Sequence, residues 1–316
     1  MAELCIENSD SLVVTLDTSM EYKEINIEKC LIPSKQINSV LLILNQEINI
    51  YGFFLKLWSS YQVRVCADGG ANRLYNFFEG NEHARSEYIP DYIIGDLDSL
   101  NEHVKEYYKE RGVLIIKQTT QYSTDFSKSV NLISLHFNSL SFRELMQRSN
   151  EPNHGISLES GIHDLYNFMK EKKVEEQFDP IDILAIGGID GRFDQTIHSI
   201  TQLYTLASTD HYINLHYLTP TDIIVLAPSG GLLLTYSPEF RRQCIGNCGL
   251  LPVARPTQII ETRGLKWDVQ NWDTSIATGE VSSSNKFVGV DKCYINTRDS
   301  IVVSIEMKLN NLKNYI

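Results

Sequence analysis

The feature that most constrains the fold is an apolar run that ends in two carboxylates two residues apart, Asp96 and Asp98. The run Tyr92-Ile93-Ile94 has the composition of a buried strand, so both acids emerge at its carboxyl end, where open α/β sheets place their ligand crevices. Two bare carboxylates about 5 Å apart repel by roughly 3 kcal/mol at an effective dielectric of about 20. The pair therefore predicts a bound hard cation such as Mg²⁺. The alternative is that Asp96 caps a helix beginning near Leu97.

A second strand-like segment, residues 63–74, leads through Asp68 into the glycine pair Gly69 and Gly70 and then into a helical pattern. Glycines at such a turn permit close approach of the backbone to a ligand. They also leave amides free at a helix N-terminus, which suits phosphate. An ordinary strand-to-helix turn is the alternative interpretation.

Two later segments repeat this chemistry. After the apolar strand at residues 113–116, Ser123 or Thr124 is placed to cap a helix, and Asp125 falls in its first turn. A further buried strand and glycine turn are followed by Arg192, whose guanidinium suits phosphate oxygens. A structural role such as helix capping accounts for each residue separately. It does not explain why acids and glycines recur after successive strands. One rim of a parallel sheet would thus collect Asp68, Asp96, Asp98, Asp125, Arg192 and Asp194.

The order of apolar segments predicts an α/β fold in two parts. Strands near residues 40, 63, 92, 113 and 183 alternate with helical patterns, which indicates an N-terminal doubly wound, mostly parallel sheet domain over residues 39–219. Beyond it, short apolar runs separated by glycine, proline and serine predict a C-terminal all-β sandwich or roll domain over residues 220–316. Its expected strands lie at residues 231–236, 258–262, 286–290 and 300–305.

Two segments lie outside this pattern. Residues 1–38 have no clear period and are interpreted as an N-terminal extension. Residues from about 138 to 179 form an insertion in the first domain, with one amphipathic helix expected to pack on the sheet.

Composition excludes several classes of function. A formal net charge of −12 argues against nucleic acid or an anionic membrane as the main partner. The sequence has neither a Gly-x-x-x-x-Gly-Lys-Ser/Thr loop nor a Gly-x-Gly-x-x-Gly turn followed by a ribose-binding acid, which disfavours P-loop kinases and dinucleotide oxidoreductases. Six scattered cysteines, a start unlike a signal peptide and the lack of a long apolar stretch favour a cytoplasmic protein.

Taken together, the motifs resemble those of the thiamine pyrophosphokinase family, eukaryotic type. The likeness runs in order from about residue 40 to the C-terminus. It rests on six motifs: Ala67-Asp68-Gly69-Gly70-Ala71-Asn72-Arg73-Leu74, Gly95-Asp96-Leu97-Asp98-Ser99, Gln121-x-x-Thr124-Asp125-Phe126-x-Lys128, Gly187-Gly188-x-x-Gly191-Arg192-Phe193-Asp194-Gln195, Gly264-Leu265-Lys266-Trp267-Asp268 and Ser282-Ser283-Ser284-Asn285. Many members have an acid before the glutamine of the third motif, whereas this chain has Thr120, so no metal ligand is assigned there.

The resemblance implies a reaction in which the terminal pyrophosphate of ATP is transferred to the hydroxyl of thiamine, which yields thiamine diphosphate and AMP. It implies Mg²⁺ on Asp96, Asp98 and Asp125, with Asp68 assisting at the same centre. The implied ATP-binding residues are Gly69, Gly70, Asn72, Gln121, Thr124, Lys128, Arg192 and Asp194. Residues 39–219 would then be the catalytic domain.

The resemblance also implies that residues 220–316 bind thiamine. Trp267 would stack on the thiazolium, and Ser282, Ser284 and Asn285 would hydrogen-bond the aminopyrimidine. Family members are homodimers with the active site at the subunit interface, so the same assembly is expected. Two alternatives stay open: another Mg²⁺-dependent phosphotransferase acting on a small alcohol, and a non-catalytic thiamine or nucleotide sensor.

Overall fold

A computed structural model describes residues 4–17, 20–148 and 151–315 of the chain. The strands in chain order are β1 (Leu4–Glu7), β2 (Lys23–Asn26), β3 (Asn38–Ile43), β4 (Val63–Ala67), β5 (Tyr92–Gly95), β6 (Leu114–Lys117), β7 (Ile181–Ile186), β8 (Ile213–Leu218), β9 (Asp222–Ala227), β10 (Leu232–Thr235), β11 (Ile245–Leu251), β12 (Thr257–Arg263), β13 (Trp267–Thr274), β14 (Ser282–Lys286), β15 (Lys292–Thr297) and β16 (Ile301–Met307). The helices are α1 (Ile27–Leu31), α2 (Phe54–Ser60), α3 (Gly70–Phe77), α4 (Glu82–Glu87), α5 (Glu102–Lys109), α6 (Asp125–Asn138), α7 (Leu140–Arg148), α8 (Gly161–Lys172), α9 (Phe193–Thr209), α10 (Pro238–Cys244) and α11 (Leu309–Tyr315).

The chain divides into two compact units. The α/β unit comprises Ser34–Gln202 and Ser208–Leu215. The β unit comprises Met1–Pro33, Leu203–Ala207 and His216–Ile316. The chain therefore passes between units within α9 and within β8, whereas the sequence pattern placed its boundaries at residues 38 and 219.

The α/β unit is built on parallel strands in the order β7-β3-β4-β5-β6. Val40 to Ile43 of β3 are fully buried, as expected for an unbroken apolar strand with neighbours on both sides and cover on both faces. Helices α3 and α6 pack on these strands. The predicted N-terminal parallel-sheet domain is confirmed.

The insertion differs from its prediction in helix content. Its described residues contain two α-helices, α7 and α8, where the sequence pattern predicted one. Helix α8 packs against α6. The buried residues of α7 are Phe142 and Met146. Two buried apolar positions are too few to reveal a helical period in the sequence.

The β unit contains two sets of strands, which confirms the predicted C-terminal β domain. One is a six-stranded sheet in the order β1-β13-β12-β15-β10-β2. The other pairs β14, β11, β16, β9 and the end of β8 as antiparallel neighbours. The short helix α10 follows β10 in the chain, and the short helix α11 follows β16.

Two details of this region depart from the sequence pattern. Residues 286–290 were wrongly predicted as a strand, because the strand β14 ends at Lys286 and the buried Phe287 and Val288 follow it. Within residues 1–38, β1 pairs with β13 and β2 pairs with β10, so this segment supplies both edges of the six-stranded sheet. All four residues of β1 are exposed, and such a strand carries no alternation that the sequence can reveal.

In the part of the chain that the structure describes, no helix combines the length and apolar character needed to cross a membrane.

Candidate active site

The predicted acidic residues come together where the parallel strands end. Asp68 directly follows β4, Asp96 directly follows β5, and Asp125 is the first residue of α6. Gly95 allows them to meet, because a Cβ there would lie 2.7 Å from Cβ of Asp68 and 3.0 Å from Oδ1 of Asp125. Leu97 has a φ of 62°, a left-handed conformation that is strained for a branched residue, and it turns the chain sharply between the two carboxylates.

Asp68, Asp96 and Asp98 form a cluster suited to a cation. One carboxylate oxygen from each lies within 4.8 Å of the others. Asp68 is 4% exposed; its Oδ2 accepts from Ser99 N at 3.1 Å, and its Oδ1 has no hydrogen-bond partner among the described residues. Burial, reinforced by the nearby charge of Asp125, raises the pKa of Asp68 to about 6. A buried carboxylate oxygen without a donor, beside two further carboxylates, fits a hard divalent cation such as Mg²⁺.

Asp96 is held in its charged form by its neighbours. Partial burial alone would raise its pKa, but the hydrogen bonds from Gln121 and from the backbone of Asp98 outweigh burial, so the pKa lies below its ordinary value. Gln121 Nε2 donates to Asp96 Oδ2 at 2.9 Å, and Asp98 N donates to Asp96 Oδ1 at 3.2 Å. Gln121 therefore orients a carboxylate of the cluster.

Asp125, predicted as the third metal ligand, lies outside that cluster of three. Its Oδ1 accepts from Lys128 Nζ at 3.0 Å and from Asp96 N at 3.2 Å. Burial raises its pKa, and the ion pair with Lys128 counteracts only part of that effect. Its place as a metal ligand stays a prediction, and Asp68 takes the third place in the observed cluster.

A cavity of about 560 Å³ opens beside the cluster. The predicted site residues that line it are Asp68, Gly69, Asp96, Gln121, Thr124, Asp125, Lys128 and Arg192. Other polar residues of its wall received no role from the sequence, among them Asn45, Gln46, Arg73, Gln195 and His198. Asn45 and Gln46 follow β3 closely, so the strand-end rule that selected Asp68 contained the signal for them.

Two predicted nucleotide-binding residues shape the rim without lining the cavity. A Cβ on Gly70 would lie 2.3 Å from the carbonyl oxygen of Ile43, so this glycine permits α3 to approach β3. Asn72 Nδ2 donates to Ser99 O at 2.7 Å, and its Oδ1 accepts from Asn101 N at 3.0 Å. Asn72 therefore fixes the loop after the carboxylate pair.

The remaining predicted residues of this unit have local partners. Thr124 caps α6, because its side chain accepts from Ser127 N at 3.2 Å. The Arg192 guanidinium forms a two-point ion pair with Asp194, at 3.1 Å and 2.6 Å. Arg192 lines the cavity, and Asp194 orients it.

In the β unit, Trp267 begins β13 and is 40% exposed, so its indole is accessible to a ligand. Asn285 is buried, and its amide group bonds the backbone of Trp267 in both directions, at 3.2 Å and 2.9 Å. The predicted Ser282 and Ser284 lie on the same strand as Asn285, and Ser284 is exposed with a φ of 60°. Asn285 thus positions the tryptophan.

Asp268 is a positioning residue that sequence reasoning quoted but gave no role. Its Oδ1 accepts from Thr262 Oγ1 at 2.8 Å and from Leu265 N at 3.0 Å. Its Oδ2 accepts from Gly264 N at 3.0 Å and from Asn8 Nδ2 at 2.6 Å. These bonds fold the loop that leads into Trp267.

The comparisons with known proteins agree with this geometry. Residues 54–215 match the family model described as "Thiamin pyrophosphokinase, catalytic domain", and residues 239–302 match "Thiamin pyrophosphokinase, vitamin B1 binding domain". The chain is 53% identical to thiamine pyrophosphokinase of Saccharomyces cerevisiae, with 100% of both chains covered.

Two solved structures show the same fold. The crystal structure of the yeast enzyme superposes with a TM-score of 0.94 at 52% identity, over 99% of this chain and 100% of that one. The thiamin pyrophosphokinase structure from Candida albicans superposes with a TM-score of 0.83 at 36% identity, over 98% and 99% of the two chains. The chain belongs to the thiamine pyrophosphokinase family.

Proposed function

We propose that this chain transfers the terminal pyrophosphate of ATP to the hydroxyethyl oxygen of thiamine and releases AMP and thiamine diphosphate. The observation that carries the proposal is the cluster of Asp68, Asp96 and Asp98 beside a cavity of about 560 Å³. Transfer of a phosphorus group needs charge neutralisation and positioning more than covalent chemistry, and a carboxylate cluster at a strand-end cavity supplies both through a bound metal.

The carboxylate oxygens of Asp68, Asp96 and Asp98 would hold Mg²⁺, with Asp125 as the further candidate from the sequence. Held there, Mg²⁺ would supply neutralisation of the negative charge that develops as the thiamine hydroxyl attacks the β-phosphorus of ATP in line and AMP leaves. Gln121 keeps Asp96 oriented through its hydrogen bond.

The positive charge for the nucleotide would come from protein groups around the same cavity. Lys128 and Arg192 both line it, and each is already oriented by an ion pair with an aspartate. Gly69 and Thr124 also line the cavity and would contact the nucleotide, whereas Gly70, Asn72 and Asp194 support the residues that do.

We assign thiamine binding to the β unit. The exposed indole of Trp267 offers a face to the thiazolium cation, an interaction worth about 0.5–2 kcal/mol. Ser282 and Ser284 would bond the aminopyrimidine, while Asn285 acts through Trp267. The domain roles therefore follow the sequence expectation of a catalytic first domain and a thiamine-binding second domain.

We infer a homodimer in which the acidic rim of one subunit meets the Trp267 face of the other. Exposed apolar side chains in both units, among them Tyr122, Phe193 and Trp267, support an interface, because such residues are otherwise costly in water. We place the protein in the cytoplasm, which its six scattered cysteines support.

The test is incubation with ATP, Mg²⁺ and thiamine, with AMP and thiamine diphosphate measured together. Equal amounts of both products support the proposal. Formation of ADP with a thiamine monophosphate would identify a simple phosphotransferase instead. Binding of thiamine or ATP without turnover would identify a sensor.

A further inference from the structure

The insertion makes a continuous set of hydrogen bonds to the loop that carries Gln121. Lys117, the last residue of β6, donates its N–H to Asn153 Oδ1 at 2.6 Å, and Asn153 Nδ2 donates to Lys117 O at 3.1 Å. Thr119 N donates to Leu158 O at 2.6 Å, and Thr120 N donates to Glu159 O at 2.9 Å. Residues 153–162 therefore act as a strap along the free edge of β6 and the loop beyond it.

Gln118 joins the strap to that loop from within. It is 1% exposed, and its Nε2 donates to Ser157 O at 2.8 Å and to Lys117 O at 2.6 Å. Its Oε1 accepts from Ile162 N at 2.8 Å, in the first turn of α8. The side chain of the helix's own N-cap, Ser160, makes no capping bond, and its hydroxyl donates to Asp164 Oδ2. Gln118 therefore caps α8 from another part of the chain.

The loop held in this way ends at the acidic cluster. Gln121 lies three residues beyond Gln118, and its Nε2 donates to Asp96 Oδ2 at 2.9 Å and to Thr119 O at 3.4 Å. Backbone atoms of Thr119 are thus bonded both to the strap and to Gln121. A shift of the strap would move Gln121 and release its hold on Asp96.

We propose that Gln118 is a positioning residue for the transfer reaction and that the strap, residues 153–162, holds the Gln121 loop in register with Asp96. The inference rests on the proposed function, since it concerns the metal and nucleotide site of that reaction. The insertion would then affect catalysis through the Gln121 loop, without contact with substrate.

The first test compares Gln118→Met with Lys170→Met. Methionine fills the same volume without the amide. Lys170 bonds Thr209 O and Asp210 Oδ1, at 2.8 Å and 2.9 Å, from the last turn of the same helix α8, so its variant loosens α8 without touching the loop. We expect Gln118→Met to lower kcat/KM for ATP by about tenfold to a hundredfold, as misplaced catalytic groups do. Equal losses in both variants at equal melting temperature would overturn the proposal.

A double-mutant cycle asks whether Gln118 acts through Gln121. Added to Gln121→Ala, Gln118→Met should cost little more, because residues in one network are not additive. If kcat/KM of the double variant falls by the product of the two single-variant factors, the proposal is overturned. Mn²⁺ affinity of the nucleotide-free protein, measured by electron paramagnetic resonance, should weaken in the same non-additive way.

A further measurement protects the test against a variant that does not fold. In the unaltered protein, the amides of Thr119 and Thr120 should exchange slowly with solvent, and exchange at the rate of an unstructured peptide would refute the strap. If the unaltered protein binds Mn²⁺ but makes no thiamine diphosphate, the proposed function fails while the Mn²⁺ cycle still decides the role of Gln118.

Discussion

Each unit buries one aspartate beside its proposed site, and the surroundings of the two differ sharply. Asp268 in the β unit accepts four hydrogen bonds, two on each carboxylate oxygen. Asp68 in the α/β unit accepts one bond from Ser99 N, its second oxygen has no partner among the described residues, and other acids lie nearby.

The difference separates two uses of the same side chain. A carboxylate with donors on both oxygens has satisfied its charge within the protein, so it fixes the shape of a loop. A buried carboxylate short of donors and close to like charges is destabilised in the charged form, as the raised pKa of Asp68 shows. Such a group gains most from a bound cation, which is the arrangement expected of a metal ligand rather than of a structural residue.

The largest expected effect concerns the cluster around Asp68. Asp96→Asn and Asp98→Asn should each lower kcat by about a hundredfold or more, because loss of one charge weakens metal coordination. Glu102→Gln is the matched control: this nearby carboxylate pairs with Lys105 on the surface, so its loss should leave kcat unchanged. Steady-state rates at saturating ATP and Mg²⁺ check this. Normal turnover of either aspartate variant, with normal melting, would remove the metal-site assignment.

Asparagine substitutions at the two buried aspartates, Asp268 and Asp68, should affect the free energy of unfolding differently. Asp268→Asn should reduce the free energy of unfolding by about 1–3 kcal/mol, because an amide nitrogen replaces an acceptor that backbone N–H groups require. Asp68→Asn should leave the free energy of unfolding unchanged or raise it in metal-free buffer, because repulsion within the cluster is relieved. Urea denaturation in the presence of a chelator measures both. Equal destabilisation would show that Asp68 is structural as well.

The aromatic residue of the β unit should affect the acceptor alone. Trp267→Ala should raise KM for thiamine by about two- to thirtyfold, the equivalent of about 0.5–2 kcal/mol of cation–π contact, and leave KM for ATP unchanged. Ile260→Ala is the control, since this apolar side chain of the same sheet is similarly exposed at 39%. If both KM values stay unchanged while the free energy of unfolding falls by several kcal/mol, Trp267 supports the fold and does not bind thiamine.

The smallest expected effect tests whether the two regions cooperate across subunits. Asp96→Asn and Trp267→Ala would damage different halves of a shared site, so mixing the two variants under subunit exchange should restore activity. Random exchange makes half of the dimers mixed, each with one intact site of two, so about a quarter of the sites should recover. Absence of recovery, with heterodimers demonstrated by mass spectrometry, would show that each subunit has a complete site.

The acidic residues of the site could be predicted from the sequence, because ligand crevices lie at the carboxyl ends of parallel strands and such strands are short local patterns. Asp68 and Asp96 each follow a buried strand directly, and Asp125 begins the helix after the next strand. Parallel strands bring those ends to one edge of the sheet. The sequence analysis assigned no site residue after β3, although Asn45 and Gln46 follow that strand and line the cavity. Gly70 shows another limit, since its contact with Ile43 O depends on how close α3 lies to β3.

The contacts of the β unit were harder to predict from the sequence, because they join distant parts of the chain. The four bonds of Asp268 draw on Asn8 as well as on residues 262–265, and no local spacing indicates that set. The exposure of Trp267 likewise depends on the whole sheet. In the α/β unit, nothing in the sequence around Gln118 indicates its role, because its bonds to Ser157 and Ile162 form only once the insertion folds back.

The pairing of β1 and β2 at opposite edges of the six-stranded sheet has a consequence for biosynthesis. β2 leaves the ribosome about 200 residues before its partner β10, and β1 waits longer still for β13. Residues 34–202, by contrast, form most of the α/β unit as one uninterrupted stretch, so that unit can fold while the remainder is still being translated. The segment with β1 and β2 is therefore synthesised long before it finds its place, and until then its two strands are open to pairing with other chains.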